Sequence, residues 1–154
     1  MIRVVGRSMQ GLRWVSLPPD ERNEFLGDGG IGVLSFGTDT DDPPRSIPIS
    51  YGYADETEQF YFRLSFPPET SKADVIENPV SFVVFGNEDG QWKSVVATGR
   101  LQELSSLPSE SAAVQRMWAV SIPTVEIFDQ PREDISFHDF RLETESITGR
   151  QEST

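Results

Sequence analysis

Apolar and polar positions alternate with a period of two along most of the chain, and this pattern predicts a protein built mainly from strands. Ile31 to Phe36 reads as a first strand. Arg45 to Tyr53 is a second, with Arg45, Ile47, Ile49, Tyr51 and Tyr53 on one face and Ser46, Pro48, Ser50 and Gly52 on the other. Gln59 to Ser65 is a third, alternating Phe60, Phe62 and Leu64 with Tyr61, Arg63 and Ser65. Val80 to Phe85 and Gln91 to Leu104 form a hairpin around Asn87–Gly90, with Gly99 as a bulge or bend in its long second arm. In that arm Trp92, Ser94, Val96 and Thr98 share one face, and Lys93, Val95, Ala97 and Leu101 the other. Phe137 to Leu142 is a sixth strand.

Three helices punctuate the strands. Ser16-Leu17-Pro18-Pro19-Asp20 is a helix-start signal, with proline early and acid in the first turn, and Gly27-Asp28-Gly29-Gly30 ends that helix after Leu26. Ser71 caps a short helix to about Glu77, which Asn78-Pro79 closes. Ser109 to Val120 places Val114, Met117 and Trp118 on one stripe. Six strands in hairpin-like succession with helices outside predict a small antiparallel barrel, mainly β with peripheral helices. Residues 1–15 have no clear period and read as a flexible arm, 16–150 as one domain and 151–154 as a disordered tail, with fraying from Thr144 onward.

Composition narrows the chemistry. A chain without cysteine holds no disulfide, thiolate metal site or thiol nucleophile, and a single histidine, His138, excludes a multi-histidine metal centre. His138 therefore reads as structural rather than catalytic. A formal net charge of −12 argues against nucleic acid and against an anionic membrane surface. Lys72 and Lys93 are the lysines, and the other cations are arginines. Abundant acid with scarce lysine resembles proteins of salt-loving archaea, whose surface carboxylates keep them hydrated in concentrated salt. The N-terminus has no apolar core of a signal peptide and no run is long enough to span a bilayer, so the expected location is the cytoplasm.

One stretch suggests a ligand. From Arg45 to Lys72, a strand face stripped of bulk (Ser46, Pro48, Ser50) lies between an arginine and a lysine at a helix start. A cation is misplaced at the positive end of a helix unless an anion sits there. A flat anionic ligand fits such a cradle. Each residue also has a plainer reading. Arg45 can pair with the acidic turn Asp39–Asp42, Arg63 can be solvated or lie in a subunit interface, and the small-residue face can pack against another subunit.

The order of motifs goes further. PPRSIPIS (43–50), FYFRLSFPPETSKADVIENPVSFVVF (60–85), WKSVVATGRLQEL (92–104) and FRLETESITGR (140–150) together resemble the pyridoxamine 5′-phosphate oxidase-like, FMN-binding split barrels. The overall pattern is closer to the nitroimidazole-reductase-like proteins than to the true oxidases. The resemblance implies a six-stranded antiparallel split barrel and a homodimer with FMN at the subunit interface. It implies that Arg45, Ser71 and Lys72 serve the phosphate, with a guanidinium fork and a point cation suited to a dianion. Ser46, Pro48, Ile49 and Ser50 would run along the flavin, Phe62 and Arg63 would meet it on the third strand, and Ser94 would approach the ring. Ser50 stands where the oxidases carry a lysine, and nothing after Phe140 reproduces their tryptophan-and-arginine signature, so the implied activity is an FMN-dependent oxidoreductase other than vitamin B6 oxidation. Arg63 stands near a histidine of the nitroimidazole reductases. The resemblance leaves two rivals: an F420-binding reductase of the same fold, and a flavin or haem carrier without turnover. The electron donor it implies is a reduced nicotinamide.

Overall fold

A computed structural model describes residues 13–38, 40–65, 76–104 and 137–153. The chain runs β1 (Arg13–Ser16), α1 (Pro19–Leu26), β2 (Gly29–Phe36), β3 (Arg45–Ala54), β4 (Gln59–Ser65), β5 (Val80–Glu88), β6 (Gln91–Glu103) and β7 (Phe137–Ser153). The sheet order is β1-β7-β4-β3-β2-β5-β6, and β7 also pairs with β6, which closes six antiparallel strands into a barrel. The expected split-barrel class is therefore the observed one. The helices expected over 71–77 and 109–120 lie outside the described residues, although Ile76 packs against the core.

The sheet extends past both expected ends. The arm expected over 1–15 closes in a strand, β1, whose Arg13 and Ser16 pair with Ser153 and Arg150. The fraying expected from Thr144, and the tail expected from 151, are replaced by a single strand of 17 residues. Its polar sequence is explained by its surroundings. The stretch beyond Leu142 pairs with β6 as far as Gln151, and β1 takes up its other side at Arg150–Ser153, so backbone pairing holds it as a strand without an apolar side-chain pattern.

The inward faces match the two-residue period. Tyr51, Tyr53, Phe60, Phe62, Phe82, Val95, Ala97, Leu101, Phe140 and Leu142 are buried in one cluster. Its aromatic rings meet edge-on, with Phe62 and Phe82 centroids 4.8 Å apart and Tyr51 and Phe82 5.3 Å apart. The β5–β6 hairpin turns on Asp89-Gly90, both at positive φ (55° and 82°), as a two-residue turn matched to strand twist requires. Helix α1 docks through polar groups as well as through Leu26. Arg22 is buried and paired with Glu58 in the β3–β4 turn, and the Tyr53 hydroxyl donates to Asn23 Oδ1 at 2.6 Å.

Candidate functional site in the opening between two strands

The barrel is not laced evenly. β3 and β4 pair only from Tyr51 to Ala54, opposite Phe62 to Gln59. Beyond that point they part. Arg45–Ser50 stay with β2, while Arg63–Ser65 go with β7. The β4-facing edge of Arg45–Ser50 is thus open among the described residues, over about 17 Å at a strand's usual rise. Pro48 lies within this stretch, and proline is tolerated where a strand has an unpaired edge.

The structure brings several sequence-predicted residues to this opening. Arg45 is exposed at its far end, and among the described residues no carboxylate pairs with it, in contrast to the ion pair its acidic neighbours suggest. Ser46 lies on the outer face, its Oγ 2.7 Å from Ser35 Oγ, and Pro48 is exposed on the same face. Ile49 faces the opposite way and packs on the core. Ser50 stands next to the fork, and its hydroxyl oxygen is buried with no hydrogen-bond partner. A buried hydroxyl without a partner is costly, so its position marks a place where a polar ligand atom would be stabilised.

Arg63 flanks the fork from the other strand. Tyr51–Phe62 is the last β3–β4 pair, so Ser50 and Arg63 are the first residues to separate and share the outer face. The Arg63 Nε donates to Asp139 Oδ1 at 2.8 Å across the β4–β7 ladder, with the Arg63 side chain 45% exposed. Phe62 turns away from the opening. Its side chain is wholly buried in the core, so only its main chain borders the fork. Ser71 and Lys72 lie outside the described residues.

Ser94 is not part of the opening within one chain. It sits on the outer face of β6 between Phe85 and Arg150, and β2 and β5 separate it from β3. The same face carries exposed apolar side chains: Ile31 at 60%, Phe85 at 61% and Trp92 at 46%. Between them, Val96, Val83, Val33 and Pro48 fall in one cross-strand row. Trp14 and Trp92 flank Glu152 in another, with the Trp92 amide donating to Glu152 Oε1 at 2.9 Å. This face was not read from the sequence. Single strands show alternation, but only the register of five strands shows that their outward residues adjoin.

His138 lies elsewhere. It pairs with Leu64 at the barrel end, and its Nδ1 is 3.4 Å from a Glu103 carboxylate oxygen. No group of three or more metal-ligating side chains exists among the described residues. No helix among them is long and apolar enough to cross a membrane.

The sequence matches the family profile described as pyridoxamine 5′-phosphate oxidase over residues 18–151. No curated protein matches the sequence. Solved structures do. An FAD-binding protein of Mycobacterium smegmatis is 19% identical with a TM-score of 0.65, covering 89% of this chain and 98% of its own. An FAD-binding protein of Mesorhizobium loti is 24% identical with a TM-score of 0.61, covering 94% and 100%. A candidate 5-nitroimidazole antibiotic resistance protein of Bacteroides thetaiotaomicron is 15% identical with a TM-score of 0.54, covering 93% and 90%. At these identities the likeness is one of fold.

Proposed function

The chain belongs to the pyridoxamine 5′-phosphate oxidase family, and on that premise we propose that it is a flavin-dependent oxidoreductase that binds FMN in the opening between β3 and β4. The observation that carries this reading is the buried, unpartnered Ser50 hydroxyl at the fork of an otherwise closed barrel. Arg45, with no described partner at the far end of the same edge, supplies a cation for a phosphate, and Lys72 is the sequence's candidate for a second. Bound flavin would supply the redox chemistry, exchanging a hydride or electrons between a reduced nicotinamide and a substrate. This chain's residues bind and orient. Ser46 to Ser50 present an open strand edge and small side chains, and the Ser50 hydroxyl offers a hydrogen bond at the closed end. Ser50 in place of a lysine, and the lack of the oxidases' C-terminal signature, speak against pyridoxamine phosphate as substrate.

The working unit we propose is a homodimer. An exposed sheet face bears Ile31, Phe85 and Trp92, and apolar side chains gathered on one face are what an interaction surface presents. A two-fold pairing through it would cover these side chains and bring Ser94 and Arg150 of one copy toward the open edge of the other.

Reconstitution tests the reading. The purified protein, in high salt, is expected to bind FMN with a shifted visible absorption band, and NADH or NADPH is expected to bleach that band under anaerobic conditions. FAD stands as the second reading because two of the similar solved proteins are FAD-binding, and F420 as the third. Parallel titrations with the three rank them. A folded dimer that binds none of the three would defeat the proposal, and one that binds FMN but is never bleached by a reductant would leave a carrier.

A further inference from the structure

We propose that Ile31 is a specificity-determining residue of this opening: it receives the dimethylbenzene end of the flavin ring and so fixes which way round the ring lies. The inference rests on the flavin-site reading above and adds the orientation of the ring to it.

The register supplies the geometry. Ile31 of β2 is the direct cross-strand partner of Ser50. On the other side of Ser50 stands Arg63 of β4, the first residue beyond the Tyr51–Phe62 pair. The three lie in one row across the outer face, with the buried, unpartnered Ser50 hydroxyl in the middle. The row spans two strand spacings, about 10 Å, which is the length of a three-ring system. Its ends differ in polarity. Ile31 is 60% exposed and has no polar atom in its side chain. At the other end, Arg63 is paired with Asp139 across the β4–β7 ladder.

The course of the cofactor turns that row into an orientation. In the flavin reading the phosphate is at Arg45, and the connecting chain runs along Ser46 to Ser50 toward the fork. That chain joins the ring at the middle of its long side, so a chain running along β3 lays the ring across the strands, along the row. Two orientations remain. One puts the dimethylbenzene end on Ile31 and the pyrimidine end, with its carbonyl and N–H groups, beside the Arg63–Asp139 pair. The other sets methyl groups against an ion pair and carbonyls against isoleucine, which offers them no hydrogen bond. The first matches polarity at both ends and takes the Ile31 side chain out of water. Ile31 is also the member of the exposed apolar face that adjoins β3, so it borders the opening on one side and β5 on the other. The same contact disfavours a ring that carries an ionisable hydroxyl at this end, as that of F420 does.

Because the chain has no cysteine, Ile31→Cys carries a single thiol at a chosen place. The probe is 8-chloro-FMN, whose chlorine replaces a methyl group at the dimethylbenzene end. Where the two meet, the thiolate sulfur bonds to the ring carbon that held the chlorine, and chloride leaves with the electron pair of the broken bond. The thiol proton goes to solvent, and nothing is oxidised or reduced. Uptake of the probe by wild type is first read from its visible band. Mass spectrometry of Ile31→Cys is then expected to show one covalent flavin per chain, blocked by excess FMN. Labelling is expected to be at least about 10-fold faster than in Val15→Cys, whose exposed position on β1 reports collision from solution. Ile31→Cys that holds the probe without labelling overturns the proposal, as does labelling of Arg63→Cys instead. Ile31→Lys gives a second reading that needs no thiol. It is expected to shift the ratio of affinities about 10-fold from FMN toward 8-demethyl-8-hydroxy-FMN, since an ammonium then meets an ionised hydroxyl. An unchanged ratio overturns the proposal. If wild type takes up no flavin, the flavin reading fails at the first step and the orientation falls with it. If flavin binds and labelling fails, the orientation alone falls.

Discussion

The Tyr51 hydroxyl donates a 2.9 Å hydrogen bond to the carbonyl oxygen of Leu26, tying the last turn of α1 to the middle of β3. Tyr51 is also the last residue of β3 to pair with β4 before the strands part, so the same side chain holds the helix and anchors the fork. Burial, with a smaller contribution from Tyr53, pushes its phenol up to about 12 from 10.0. The folded state therefore prefers the neutral phenol. Its contribution is complete below pH 10 and is lost as pH rises through 10 toward 12, on the order of 3 kcal/mol in all. Tyr53, also raised chiefly by burial, acts in the same direction. Tyr51→Phe is expected to cost about 1 kcal/mol at neutral pH, through the lost hydrogen bond, and to flatten the alkaline decline. Urea midpoints measured between neutral pH and pH 11 check both. A variant that declines as steeply as wild type would show that Tyr51 does not carry the alkaline sensitivity.

Gly99 is where β6 yields to β7. A side-chain carbon there would lie 2.0 Å from the Glu143 carbonyl oxygen, and the β6–β7 register shifts between Thr98 and Gly99 at this point. The obstacle is backbone in the seam that closes the barrel, so it cannot rotate aside. Gly99→Ala is expected to destabilise by about 3 kcal/mol or more. Gly86→Ala is the control, since its added carbon meets only the Phe25 ring at 3.7 Å, an ordinary contact. It is expected to change stability by less than about 1 kcal/mol. Thermal melts of the two variants side by side make the comparison, and equal melting temperatures would refute the close approach.

Arg22 and Glu58 form a pair of unequal burial, with side chains 8% and 46% exposed. Glu58 is held at a φ of 56°, which a residue with a side chain seldom adopts. Arg22 Nε is buried without a partner. Removing the carboxylate leaves the guanidinium buried and unbalanced, whereas removing the guanidinium leaves a carboxylate that water can reach. Glu58→Ala is expected to cost about 2 kcal/mol, and Arg22→Met less than about 1 kcal/mol. Denaturant unfolding of both variants tests the order, and the reverse order would mean that the pair is held by its exposed partner.

The strand inventory was readable because side-chain alternation is a local signal. Six strand cores, the Gly99 irregularity and the inward faces of Tyr51, Val95 and Leu101 all follow from residues two apart. The long β7 was not readable. Its outer half is polar, and what makes it a strand is the pairing of Val95 and Lys93 with Gly149 and Gln151, some 55 residues away in sequence. Asp139 was missed for the same reason. Nothing within FHDFRL reveals that Asp139 lies opposite Arg63, because register between distant strands is set by the whole barrel. Of the candidate site, Arg45, Ser50 and Arg63 were identified from strand faces and motif order, and the structure adds that the last two flank a fork. Phe62 was placed at the cofactor by the resemblance, which gives a position along the strand but not the direction of a side chain; that side chain is wholly buried in the core.

The acid excess carries a prediction of its own. Twenty-five carboxylates against 13 cations leave a self-repulsion that salt screens. We expect the melting temperature to rise by about 5 °C or more between ~0.15 M and ~2 M KCl, where the Debye length shrinks to a few ångström. A flat or falling melting temperature over that range would exclude adaptation to salt, and sucrose at matched water activity separates screening from a general solute effect.

The outer face gives the most direct test of assembly. Phe85 and Trp92 are exposed with ring centroids 6.4 Å apart, and Ile31 stands out from the same face on β2, the strand next to that of Phe85. In a two-fold pairing every residue of the face is used twice, so one substitution acts on both sides of the interface. Phe85→Glu would bury two carboxylates among apolar side chains of an already acidic molecule. It is expected to raise the dimer dissociation constant by about 100-fold or more, whereas Phe85→Tyr keeps the ring and is expected to change it little. Phe85 is outside the β3–β4 opening, so its own side chain makes no contact there. A parallel loss of FMN affinity in Phe85→Glu would therefore reach the cofactor through the partner copy, which is the signature of a site shared between subunits. Sedimentation velocity on both variants, with FMN titrations at the same concentrations, reads the two effects together. A Phe85→Glu protein that stays dimeric would move the interface to another face, and a monomer that binds FMN as tightly as wild type would place the whole site within one chain.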